Sequence, residues 1–184
     1  LTPLPFAGGD VKLIADHLGW FYRVPDDETH TLALIDTPRE KLKQEVTRFL
    51  ANQRGRAELV VYITGHAYTA DDGRTWLAPR GFNWDNMAET GISLEWLTKQ
   101  VEACQAGQKL LLLDCTHDGS GLDLEREPSG AALLEPIKSL LKTTTAIASC
   151  GEGQRGLVDT QRRHGLFAWY VAVGYRGAAD ANAD

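Results

Sequence analysis

Lys109-Leu-Leu-Leu-Leu-Asp-Cys-Thr-His117 is four leucines closed by side chains that can carry chemistry. A short, continuous apolar run bounded by polar residues is the pattern of a strand covered on both faces. Two more runs share it. Glu58-Leu-Val-Val-Tyr-Ile63 leads into Thr64-Gly65-His66, and Thr143-Thr-Thr-Ala-Ile-Ala148 leads into Ser149-Cys150-Gly151. Helical spacing lies between them. Ser93 is placed to cap a helix through Leu94, Leu97 and Val101, and a helix is expected over Ala131 to Lys142, kinked or broken at Pro136. Strands alternating with helices predict an α/β domain with a mostly parallel sheet. Sites in such sheets form at the carboxyl ends of strands. The ends to inspect are therefore Gly65-His66, Asp114-Cys115-Thr116-His117 and Ser149-Cys150-Gly151-Glu152.

Outward from these strands the reading continues. Asp10 precedes Val11, Leu13, Ile14 and Leu18 and is expected to cap a helix running to about Leu18. Thr31-Leu-Ala-Leu-Ile35 reads as a short strand. Thr37-Pro38 opens a second helix, with proline at the first helical position and Leu42, Val46, Phe49 and Leu50 as its apolar stripe. Asp71-Asp72-Gly73 reads as a turn, and Thr75-Trp76-Leu77-Ala78 as an extended piece. Asp118 to Gly130 is polar and reads as a long loop. Gly165 to Val173 is a last apolar helix, ended at Gly174 or Gly177.

Composition bounds the function. The chain has 184 residues, 43% hydrophobic and 24% charged, which fits one globular domain over 1–184. Its net charge of −6 offers no basic surface for a phosphate backbone, so nucleic-acid binding is not expected as its main task. No apolar run reaches the length of a membrane span. Cys104, Cys115 and Cys150 are too few for a disulfide scaffold, which favours a reducing, cytoplasmic setting. Neither G-x-S-x-G nor a phosphate loop occurs. The chain starts without Met and ends at Asp180-Ala-Asn-Ala-Asp184, the opening of a calcium-loop pattern or a polar tail. It is expected to be a piece of a longer polypeptide with additional domains, truncated at both ends.

A histidine at one strand end and a thiol at the next is how a cysteine nucleophile meets its base. His66 and Cys115 are that pair. His66, His117 and Asp118 match no closed zinc spacing, so no metal centre is expected.

Val60-Val-Tyr-Ile-Thr-Gly-His66, Asp72-Gly73 and Trp76-Leu-Ala-Pro79 resemble the histidine segment of the caspase, metacaspase and bacterial caspase-like peptidases. Leu111-Leu-Leu-Asp-Cys-Thr-His-Asp-Gly119 resembles their nucleophile segment. Leu4-Pro-Phe-Ala-Gly-Gly-Asp10 is similar to the entry of their first helix. Ala146-Ile-Ala-Ser-Cys-Gly-Glu-Gly-Gln154 and His164-Gly-Leu-Phe167 are similar to their later strand and helix. The motif order is kept over nearly the whole chain. The resemblance implies a three-layer α/β/α sandwich with a mostly parallel sheet of about six strands, the first of which would precede Leu1. It also implies cysteine-type endopeptidase activity on a peptide or protein, no obligatory cofactor, and calcium as an accessory ion.

Laid on the family's nucleophile pattern, Thr116 takes the place of the cysteine and Cys115 that of a small neighbour. Strand alternation agrees: Asp114 and Thr116 share one face, Cys115 the other. The candidate catalytic residues are thus His66, Cys115 and Thr116. Asp114 matches a metacaspase acid that helps bind a basic substrate residue. Ala67 stands where a glycine amide approaches the substrate oxyanion, and Ser149 closes the third strand; these three are the candidate substrate-binding residues. A threonine hydroxyl needs a stronger base than a thiol does. The expectation is a caspase-like domain degenerate at its nucleophile that acts as a regulatory or binding module. The alternative is a live endopeptidase using a His/Cys dyad and cutting after basic residues.

Overall fold

In the computed structural model, the described residues are 4–70, 72–115, 130–150 and 156–179. The three apolar runs form the strands they predict: β1 (Arg54–Thr64), β5 (Gln105–Asp114) and β6 (Thr144–Ala148). They make one parallel sheet in the order β1-β5-β6, with Val61 opposite Leu111, Thr64 opposite Asp114 and Leu113 opposite Ala148. The resemblance implied about six strands; three are joined in this sheet among the described residues.

Three-residue strands escape periodicity, and a second sheet went unforeseen for that reason. β2 (Ala67–Thr69), β3 (Thr75–Leu77) and β4 (Ile92–Ser93) pair antiparallel. Its first hairpin turns at Gly73 (φ 79°), where the Asp72 carboxylate accepts the Arg74 N–H at 3.0 Å. A further hairpin joins β7 (Val158–Asp159) to β8 (His164–Gly165).

The α-helices among the described residues are α1 (Ala7–Tyr22), α2 (Arg39–Asn52), α3 (Met87–Thr90), α4 (Leu94–Ala103), α5 (Gly130–Lys138) and α6 (Leu166–Val173). Ser93 caps α4 as expected, accepting the Trp96 N–H at 3.3 Å. Lys109 holds the other end of α4. Its buried Nζ donates to the carbonyls of Glu102 (2.9 Å) and Cys104 (3.1 Å), which satisfies a charged group and two orphan helix carbonyls together. α5 stops at Lys138, two residues past Pro136, instead of reaching Lys142.

Alternation along the strands divides the core. Leu111 and Leu113 pack with Leu94 of α4 and Leu133 and Ile137 of α5 on one face. Leu59 joins Leu50 of α2 and Val101 of α4 on the same side. α1 lies against β1 on the other face, with α6 beside α1. Helices thus cover both faces of the parallel sheet, as continuous apolar strands require.

Three further expectations fail. Pro38 is the N-cap of α2 and Arg39 its first helical residue. Asp10 does not cap α1. The helix begins earlier, after Phe6, and the Asp10 carboxylate turns inward to β8. Thr31–Ile35 forms no ladder. An open groove of about 730 Å³ lies between its Leu32 and Ala33 and the Leu59, Val60 and Tyr62 edge of β1. α1 (Val11, Ile14) and Phe49 of α2 close its sides. A strand-forming composition yields no strand where the neighbouring strand is out of hydrogen-bonding reach.

Candidate functional site

β1 and β5 run parallel and in register, so their carboxyl ends lie side by side. Thr64 pairs with Asp114, and His66 follows Thr64 by two residues. The bend at Gly65 leads His66 into the second sheet, where its carbonyl accepts the Ala78 N–H at 3.0 Å. His66 is 7% exposed and its ring stacks on Tyr68, with centroids 6.0 Å apart. Tyr68 in turn meets Phe82 and Trp84, at 5.4 and 3.8 Å between centroids. An aromatic wall therefore stands behind the histidine.

Cys115 faces away from this edge. Its side chain lies in the cluster of Leu94, Leu111, Leu113, Leu133 and Ile137, and its Sγ approaches the Ile63 carbonyl at 3.8 Å. Burial pushes the thiol well above its ordinary range, and the neighbouring Asp114 charge adds to the shift. A thiol so placed stays protonated, and only the thiolate attacks.

Asp114 takes the opposite face, as alternation requires. Its Oδ2 accepts the Tyr62 hydroxyl at 3.0 Å. Burial and then the Asp114 charge hold that phenol neutral, as a donor. Asp10, from the first turn of α1, reaches the same place. Its Oδ1 lies 2.7 Å from His164 Nδ1, and both its oxygens accept the Gly165 N–H at 3.1–3.2 Å. Two carboxylates, a phenol and an imidazole thus meet at the carboxyl end of the sheet. Asp10, Tyr62 and His164 were not among the residues expected here. Asp10 and His164 stand inside motif segments, yet nothing local distinguishes an inward acid from a helix cap.

Burial is the largest influence on Asp10 and raises its carboxyl above the ordinary value, with the His164 bond opposing it. Between the unfolded and folded pKa values the folded chain therefore holds a proton that the unfolded chain releases. This group's contribution is fully present below the unfolded pKa of about 4 and is lost as pH rises through the folded value. Urea unfolding of Asp10→Asn is expected to vary less with pH above about 4 than that of the parent.

Of the other candidates, Ala67 is fully buried in the same core cluster as Cys115 and pairs with Leu77 in the second sheet. Ser149 donates its N–H to the Leu113 carbonyl at 2.9 Å, and its hydroxyl lies 4.0 Å from Cys150 Sγ. Thr116, His117, Asp118, the expected loop and the calcium-loop pattern at 180–184 lie outside the described residues. Among the described residues no group of three or more His, Cys, Asp or Glu side chains could hold a metal, and no helix is long and apolar enough to cross a membrane. A scan against protein-family models and a search of curated proteins found no match.

Proposed function

We propose that this chain is a caspase-like domain whose peptidase site has degenerated, and that it acts as a binding module for a peptide segment carrying a basic side chain. The observation that carries the reading is the division of neighbours on β5. Cys115 is sealed into the core, while Asp114 joins Asp10 at the sheet's carboxyl end. The thiol is lost to chemistry, and the paired acids keep a charge that a lysine or arginine would complement. His66 follows Thr64 by two residues just as Thr116 follows Asp114, and Thr64 and Asp114 are paired. That register supports Thr116, not Cys115, as the old nucleophile position.

The finer architecture belongs to the same proposal. The groove beside β1 exposes one hydrogen-bonding edge between apolar walls, which suits a further parallel strand. A strand there, with Thr31–Ile35 beyond it, extends the three-stranded sheet toward the six-stranded sandwich. A peptide or protein partner that presents a basic side chain is the proposed guest.

Calorimetry with an octapeptide holding one arginine tests the reading. Replacing that arginine by norleucine, or Asp114 by Asn, is expected to weaken binding tenfold or more, on the order of 1.5–3 kcal/mol for a charged hydrogen bond. Thr116→Cys is expected to gain slow cleavage after arginine. Equal binding of both peptides sinks the proposal. So does cleavage by the parent that is lost in Cys115→Ala, which would establish the live His/Cys enzyme instead.

A further inference from the structure

The acid pair is already covered by a piece of the chain itself. Asp10 and Asp114 are 1% and 2% exposed. A methyl group at Gly165 would lie 3.1 Å from Asp10 Oδ2 and 3.4 Å from Asp114 Oδ2, so the β8 backbone packs closely against both carboxylates. Among the described residues, the chargeable partner of Asp10 is His164, and no lysine or arginine pairs with either acid. The other groups facing this cluster are the Tyr62 hydroxyl from β1, the Gly165 N–H and the Trp169 ring of α6, 6.0 Å from the imidazole. Arg162 lies over the far side of the region, 5.3 Å from the Trp169 ring, and is engaged by Asp159. His164 is one-fifth exposed, so protons reach it, and Arg163 before it adopts a left-handed conformation (φ 60°) that non-glycine residues avoid.

We propose that His164 is a built-in competitor for the basic guest. Its ring on Asp10, with Gly165 seated against both acids, closes the site, and a lysine or arginine enters by displacing the β7–β8 hairpin. The inference rests on the acid-pair reading given above. The imidazole and the guest's cation seek the same Asp10 oxygens, so the two compete for one acid. Hairpin strain at Arg163 favours release once that contact is lost.

Calorimetry with the arginine octapeptide tests it. His164→Asn is expected to bind at least tenfold more tightly than the parent. A variant that binds no better than the parent overturns the competitor role even if the acid pair binds arginine. If neither protein prefers arginine over norleucine, the acid-pair reading fails, and competition fails with it. Hydrogen exchange then judges the closed contact by itself: the Gly165 amide is expected to exchange at least tenfold faster in His164→Asn, and an unchanged rate overturns the contact.

Discussion

A thiol-reactive peptidyl probe added to the native protein is expected to modify Cys150 and to leave Cys115 untouched, with rates at least about a thousandfold apart. Cys150 is half-exposed at the end of β6. Cys115 is 1% exposed, and its side chain belongs to the buried cluster of Leu94, Leu113, Leu133 and Ile137. Two costs multiply. The reagent must wait for an opening of core structure, which at about 4 kcal/mol or more is populated less than once in a thousand. The thiol must also ionise, and burial beside the Asp114 charge opposes that. Labelling followed by peptide mapping reads the result. Fast modification of Cys115 that disappears in His66→Ala would mean that the ring and the thiol work together, and would favour the His/Cys peptidase alternative.

The position of Cys115 was legible because strand alternation is local. Once Lys109–Leu113 is a strand, residues 114 and 115 must part, and they do. The three parallel strands and the Ser93 cap were legible for the same reason: each rests on contiguous residues. What escaped was long-range. Asp10 looks like a cap because a small acid precedes an apolar stripe. Its partners His164 and Gly165 lie more than 150 positions away, and no local pattern encodes them. Thr31–Ile35 fails from the opposite direction. Its β propensity is sound, yet a strand exists only with a partner, and that edge of β1 faces a groove.

That contrast yields the largest expected loss of stability. Leu113→Ala is expected to cost about 3–5 kcal/mol, whereas Leu32→Ala costs roughly 1 kcal/mol or less. Leu113 is fully buried between β1 and β6, and its side chain touches the layer formed by α4 and α5. Truncating it leaves a cavity that close-packed neighbours on four elements cannot refill, because each is fixed by its own ladder or helix. Leu32 already borders open groove, so its removal enlarges a space that water reaches. For a domain of this length each kcal/mol moves the melting temperature by about 2–4 °C, so the two variants are separable by thermal unfolding alone. Equal shifts would mean that the groove is filled in solution. Leu32 would then be packed as tightly as Leu113, and a strand would already occupy the edge of β1.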